Sequence, residues 1–236
     1  MEVHRPKFAK SLIEEILIIV ISISLAVGAE RIVENWLHNK EGKESLKRLR
    51  TELIRDSLDL HGNVIEYKSI IKNELRLASW QKSEIVLSID SVSFLSADIL
   101  TFMYFASNSS EFESLKNSNK LSYIKNNDLL QKLVQNYDRY NDFNMLFQGS
   151  RDRHKDLMEL YKNNTILVAN KPHSGTTFYK VDGALIKKNL LNNRYYQNVI
   201  QQKILSDNTL LDLNYNTLKR IRELLVIINT EIGEEK

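Results

Sequence analysis

Arg55 and His61 are a pair of residues whose types and spacing could do chemistry. A histidine can act as a general acid or base near neutral pH, and an arginine can bind a phosphate through its planar guanidinium group. The segment 55–61, Arg-Asp-Ser-Leu-Asp-Leu-His, provides the spacing.

This spacing resembles the motif of the HEPN ribonucleases, in which an Arg and a His four to six residues apart support RNA cleavage. In that family the motif lies late in the helical body, whereas Arg55 and His61 lie early. A chain with twelve arginines and five histidines contains such a spacing about once by chance. A ribonuclease is therefore the last of the functional hypotheses, and we predict no catalytic residue.

The sequence contains no other motif typical of catalysis, a cofactor or a metal ion. Its histidines have neither His-x-x-x-His nor His-Glu-x-x-His spacing, and the chain has no cysteine. It also has no glycine-rich phosphate loop and no Gly-x-Ser-x-Gly turn. We therefore expect a protein that is not an enzyme and that binds neither a cofactor nor a metal.

The main physical signal is an apolar segment near the amino terminus. Residues 16–29 carry no charge and cover about 21 Å as a helix, against roughly 30 Å for the hydrocarbon core of a membrane. Apolar residues extend the segment on both sides, and Phe8 and Trp36 lie where aromatic residues anchor a helix at the membrane interface. We predict a membrane-spanning helix. A cleaved signal peptide and a buried helix of a soluble protein remain as alternatives.

Two features of this segment bear on self-association. Small residues occur in two pairs four residues apart, which allows two helices to approach closely in lipid; the pairs are Ser22 with Ala26 and Ser24 with Gly28. Glu14 and Glu15 lie at the edge of the apolar run, where carboxylates often face a bundle interior or a water-filled path. These residues predict a homo-oligomer with glutamates at its rim. The alternative, which we favour, is that the glutamates mark the boundary with water and that the small residues are incidental.

Composition and periodicity predict an all-α protein. With 42% hydrophobic and 27% charged residues, seven glycines and two prolines, the chain is globular and suited to long helices. A net charge of +3, with basic and acidic residues interleaved, gives no reason to expect a nucleic acid partner.

We expect a membrane anchor with a short basic tail over residues 1–38 and a helical body over residues 39–236. In the body we expect three parts: a stalk helix over about 43–79 that continues the membrane helix, an antiparallel bundle over about 93–232, and an irregular stretch over about 164–183 that forms a loop or a small hairpin.

Local signals also predict particular helix boundaries. The apolar block 94–105 predicts a buried helix. Ser110 and Glu113 have the spacing of a capping box, so a short helix should begin there. Asn127 or Asp128 should cap the helix that follows.

Several blocks of residues carry a second resemblance. They are the glutamate-flanked apolar run with residues 34–36, then residues 46–53, 112–121 with Ile124, 129–140 and 190–199. In this order they resemble an uncharacterised single-pass membrane protein family of Bacteroidota, a domain of unknown function with an N-terminal transmembrane helix and a helical body. The resemblance spans nearly the whole chain and consists of helix-packing patterns. It implies anchoring and helical architecture, and no chemistry.

The favoured functional hypothesis is a membrane-anchored helical scaffold or adaptor that self-associates and contacts an unknown protein partner, with membrane lipid around its anchor. The alternative is a membrane-active, pore-forming effector of a bacterial stress or antiphage defence system, with Glu14 and Glu15 along the path. More Lys and Arg residues follow the apolar segment than precede it. The resemblance implies a single pass through the bacterial inner membrane, and the excess of basic residues slightly favours a body in the cytoplasm over one on the opposite side.

Overall fold

The computed structural model describes residues 7–170 and 178–233, and this part of the chain is almost entirely helical. The α-helices are α1 (Lys7–Gln81), α2 (Ile89–Asp98), α3 (Ser110–Asn117), α4 (Asn127–Asn164), α5 (Gly183–Asn189) and α6 (Arg194–Ile232). A 3-10 helix spans Lys120–Tyr123, and strands β1 (Leu167–Asn170) and β2 (Phe178–Val181) pair antiparallel. The predicted all-α fold is confirmed.

The helix α1 continues without a break from the apolar segment into residues 43–79, as predicted. In this second part Leu49, Leu53 and Leu60 are fully buried and belong to one core cluster with residues of α4 and α6. Leu75, which follows the same three- and four-residue spacing, is 52% exposed. The segment predicted as a stalk is therefore one of the helices of the bundle.

Polar contacts between α1 and α6 show that the two helices are antiparallel. Arg50 Nε donates to Asn229 Oδ1 over 2.7 Å, and further along α1 Lys203 Nζ lies 2.9 Å from Glu74 Oε1. The partner's number falls as the α1 number rises. The end of α6 therefore returns to the part of α1 that follows the apolar segment.

The helix α4 is also antiparallel to α6. Asn126 Nδ2 donates to Glu231 Oε1 over 2.6 Å near one end, and Arg153 lies 3.4 Å from the hydroxyl of Ser206 towards the other. The N-cap of α4 is Asn126, whose side chain accepts from the backbone N–H of Leu129, so the predicted caps Asn127 and Asp128 are one and two residues late.

The apolar block 94–105 is not a helix throughout. The helix α2 begins at Ile89, capped by Ser88, and ends at Asp98. The residues that follow run across α1 without regular structure, and their backbone accepts a hydrogen bond from Tyr67 at Met103. This tertiary path buries Leu95 and Phe105 but leaves Phe94 64% exposed.

The short helix predicted at Ser110 is present, but its predicted capping box does not form. Glu52 of α1 caps it instead: its Oε1 accepts from the Ser110 hydroxyl over 2.5 Å and from the Glu111 backbone N–H over 2.9 Å. A carboxylate at a helix N-terminus is favoured by the helix dipole. Arg48, one turn before Glu52, forms a bidentate ion pair with Glu111.

The stretch 164–183 forms the hairpin of β1 and β2, with Leu167 opposite Val181. Residues 171–177 between the strands lie outside the described residues. The helix α5 follows, and Asp182 caps it by accepting from the N–H groups of Ala184 and Leu185. The hairpin and α5 cover a second core at the end of the bundle far from the apolar segment, formed around Leu77 and Tyr196.

Candidate functional site

The exposed apolar part of α1 extends further than the uncharged run alone. Large apolar side chains stay exposed from Ile16 to Leu37, between 43% for Val27 and 72% for Ile32. That stretch is about 33 Å long at 1.5 Å per residue, against roughly 30 Å for a hydrocarbon core, and Glu30, Arg31 and Glu34 lie towards its carboxyl end. An 18-residue window has a mean hydropathy of 2.3 and none of it is buried. The structure thus contains one long apolar helix near the N-terminus that could span a membrane.

The four small residues predicted to pack helices lie on two different faces of this segment. Ser22 and Ala26 share one stripe, and Ser24 and Gly28 share another about 200° away around the helix axis. The hydroxyl of Ser22 donates to the carbonyl oxygen of Ile18 over 2.8 Å, so it needs no further partner in lipid. A Cβ added at Gly28 would meet no atom within 4 Å. Both faces are open to another helix, and self-association stays a prediction.

The predicted boundary residues are only partly described. Glu15 is exposed at the start of the apolar segment, whereas the side chains of Glu14 and Phe8 lie outside the described part of the chain. Trp36 is 60% exposed at the other end, with Lys40 Nζ 5.5 Å from the centre of its ring. The rim role of the glutamates and the pore hypothesis therefore stay predictions.

Arg55 and His61 lie on exposed positions of α1. Six residues of helix separate them by about 9 Å along the axis and about 120° around it. Their exposed side chains therefore point in different directions. The structure gives the pair no shared site.

A buried ion cluster, which the sequence motifs did not reveal, joins α1 to α6. Lys203 Nζ lies 2.9 Å from Glu74 Oε1 and 2.6 Å from Asp207 Oδ2, and all three side chains are at most 4% exposed. Glu74 Oε2 is buried without a hydrogen-bond partner. Two carboxyl groups therefore share one ammonium group in the protein interior.

The pKa values in this buried ion cluster are set by its burial and by the presence of two carboxyl groups around one ammonium group. Burial, with the repulsion of Asp207, raises the pKa of Glu74 to about 8 despite the attraction of Lys203. For Lys203 the two carboxylates outweigh burial and raise its pKa. Burial and the nearby Lys203 charge lower the pKa of His154, on α4, to about 4. These shifts suit groups that hold helices together, since none of the three ionic side chains is open to a substrate.

One sequence signal could have found this buried ion cluster. Lys203 lies on the apolar stripe of α6 between Val199 and Leu210, with Asp207 one turn later. A charged residue on a buried stripe needs a partner. The sequence does not show which residue of another helix supplies that partner. Among the described residues, no group of three or more His, Asp or Glu side chains could hold a metal ion.

No protein-family model matches the chain, and no curated protein or solved structure matches it either. The resemblance to the single-pass membrane family of Bacteroidota therefore stays a hypothesis that rests on the sequence blocks alone.

Proposed function

We propose that this protein is a membrane-anchored helical scaffold or adaptor. The observation that carries the proposal is that α1 is one helix with two parts: exposed over residues 16–37 with an uncharged apolar run over residues 16–29, then packed into the bundle from Leu46 onward. An exposed apolar stripe of this length is costly in water and stable in lipid. The bundle would thus be held at a membrane by α1, which forms both the anchor and one helix of the bundle.

The continuity of α1 supports a scaffold rather than a loose tether. The described chain has neither proline nor glycine between Ala29 and Gly42, so helix propensity is uninterrupted where the anchor meets the body. The accessible surface of the body carries isolated apolar side chains such as Leu58, 67% exposed, and Ile65, 55% exposed. These two lie seven residues apart on one outward face of α1, where a protein partner or a second copy could pack.

Extraction of membranes with alkaline carbonate tests the anchor. The full chain should stay in the membrane pellet, whereas the double variant Ile19→Lys/Ile23→Lys should move to the supernatant because two charges in hydrocarbon are costly. The matched control is Leu58→Lys/Ile65→Lys, which adds the same charges to the outward face of the body and should stay in the pellet. Release of the unaltered chain without detergent would refute the anchor.

Cysteine crosslinking tests self-association, because the chain has no cysteine of its own. Ser22→Cys and Ala26→Cys sample one face of the anchor, and Ser24→Cys and Gly28→Cys sample the other. A scaffold that dimerises through this helix should give disulfide-linked dimers from one face and few from the other. Absence of dimers from all four variants would remove self-association through the anchor while leaving the anchor itself intact.

We further propose that the anchor makes a single pass through the bacterial inner membrane with the body in the cytoplasm. The support is the run of basic residues that follows the apolar segment, including Lys40, Lys43 and Lys47. In intact cells a membrane-impermeant maleimide should fail to label Asn208→Cys, which is exposed on α6. It should label the same variant in inverted vesicles. Labelling in intact, unpermeabilised spheroplasts would show that the body lies on the opposite side of the membrane.

A further inference from the structure

A groove lies at the end of the bundle that follows the apolar segment. It has a volume of about 480 Å³ and runs between α1, the residues around the 3-10 helix and the end of α6. We call it the membrane-proximal groove, and the residues that define it are Trp36, Lys40, Lys43, Lys47, Tyr123 and Lys125.

Three contacts hold the wall of this groove against α1. A Cβ at position 42 would collide with the carbonyl oxygen of Tyr123, so Gly42 permits the close approach of the 3-10 helix. The ring of His38 stacks on that of Tyr123 with 4.2 Å between centroids. Lys120 Nζ donates to Glu41 Oε2 over 2.8 Å. The wall of the groove is thus fixed against α1 by a close backbone approach, a ring stack and an ion pair.

The membrane-proximal groove has an excess of positive charge. Four lysines line it against two carboxylates, and both carboxylates already have partners: Glu44 pairs with Lys47 at 3.0 Å, and Glu231 accepts from Asn126. Among the described residues, Lys40, Lys43 and Lys125 form no ion pair. Their ammonium groups are exposed and available to an anion.

The anchor sets the depth of the groove relative to a membrane. Trp36 follows the charged residues Glu30, Arg31 and Glu34, so it lies at the membrane–water interface, where tryptophan is enriched. Lys40 and Lys43 lie about 6 Å and about 10 Å beyond it along the axis of α1. The headgroup region of one leaflet is roughly 5–8 Å thick, so the ammonium groups on their flexible stems reach phosphate depth.

We propose that the membrane-proximal groove binds the phosphate-bearing headgroup of an anionic glycerophospholipid from the adjacent leaflet. Lys40, Lys43 and Lys125 contact the headgroup oxygens, and Trp36 packs where the acyl chains begin. This inference rests on the proposed membrane anchor. A lipid bound here would fix the tilt of the bundle at the membrane surface and link its position to the anionic lipid content.

Quenching of Trp36 fluorescence by brominated lipids tests the proposal on the full chain. The other tryptophan, Trp80, is 5% exposed and lies about 66 Å further along α1, so it is an unquenched reference. The vesicles contain one anionic lipid for every four zwitterionic lipids. In separate samples of the same composition, the bromine is placed on the anionic or on the zwitterionic lipid. The variant Trp36→Phe gives the background.

The expected result is selective enrichment of the anionic lipid beside Trp36. The share of the total Trp36 quenching that comes from the brominated anionic lipid should be at least about twice the mole fraction of that lipid. The variant Lys43→Gln/Lys125→Gln should abolish that excess. The control Lys155→Gln/Lys162→Gln removes the same charge from α4, where both lysines pair with acidic neighbours, and should keep it.

Three other results would overturn the proposal, and they are distinguishable. Quenching by both lipids in proportion to mole fraction would leave the anchor intact and remove the headgroup site. Loss of the excess on adding inorganic phosphate at constant ionic strength would assign the groove to a soluble phosphate compound. Absence of quenching by either brominated lipid would refute the anchor and the groove together.

Discussion

The hydroxyl of Tyr140 on α4 donates to Oδ2 of Asp56 on α1 over 2.6 Å, across 84 residues of sequence. The other oxygen, Oδ1, accepts from the backbone N–H and the side-chain amide of Asn108, over 2.8 Å and 2.7 Å. Asp56 is fully buried, and burial raises its pKa. This one carboxylate therefore joins α1, α4 and the segment before α3.

Removal of that hydroxyl should weaken the bundle. Tyr140→Phe is expected to lower the free energy of unfolding by about 1.5–3 kcal/mol, because it removes a hydrogen bond to a buried acidic group. The control is Tyr215→Phe on the partly exposed side of α6, expected to change stability by less than about 0.5 kcal/mol. Urea unfolding of the full chain in detergent measures both. Equal effects of the two variants would contradict the role of the Asp56 bond.

Loss of the ammonium group from the buried ion cluster should be more damaging. Lys203→Met leaves Glu74 and Asp207 buried without a cation, at an expected cost of about 3–5 kcal/mol. Adding Asp207→Asn should restore part of this loss by removing the charge that pairs with Lys203, whereas Glu74→Gln should restore less, because the pKa of Glu74 is already raised to about 8. The exposed Lys219→Met on the same helix is the control, expected to have little effect. Failure of Asp207→Asn to rescue would show that the cost arises from packing alone.

His154 should make stability depend on pH on the acidic side. Its pKa is lowered to about 4 in the folded protein, whereas an unfolded chain takes up the proton near 6.5. Stability attributable to His154 is therefore lost as the pH falls from about 6.5 towards 4, by about 2 kcal/mol at pH 4.5. Thermal unfolding between pH 7 and 4.5 should show a smaller loss for His154→Gln than for the unaltered chain.

The matched control for this pH effect is His61→Gln, which removes an imidazole from an exposed position. That variant should follow the pH profile of the unaltered chain. A profile for His154→Gln identical to that of His61→Gln would show that protonation of His154 does not oppose folding.

Two glycines of α1 should respond oppositely to alanine. Gly62 lies in open space within the helix, so Gly62→Ala is expected to stabilise the protein by about 0.5–1 kcal/mol. Gly42 faces the backbone of Tyr123, so Gly42→Ala must displace the 3-10 helix and should lower stability. Unfolding midpoints of the two variants in the same detergent provide the comparison. Stabilisation by both would mean that the close approach at Gly42 does not constrain the fold.

Local sequence patterns predicted which segments are helical but not where each helix begins and ends. The start of α3 near Ser110 follows from local polar residues, but its cap is Glu52, which lies 58 residues earlier in the chain. The block 94–105 has the composition of a buried helix. Its first five residues are helical, but Ile99, Leu100 and Phe105 are buried outside any helix where the chain crosses α1, and the backbone there accepts a hydrogen bond from Tyr67. Helix propensity is a weak preference that tertiary contacts override.

By itself, the sequence determined an apolar N-terminal helix, a helical body and an absence of recognisable catalytic motifs. These features depend on hydropathy and on three- and four-residue periodicity, which neighbouring residues express without the rest of the fold. Only the tertiary structure decided the buried ion cluster of Lys203 and the membrane-proximal groove at Gly42 and Tyr123. Each requires side chains from distant parts of the chain to share one small volume, and no local pattern specifies which distant residue arrives there.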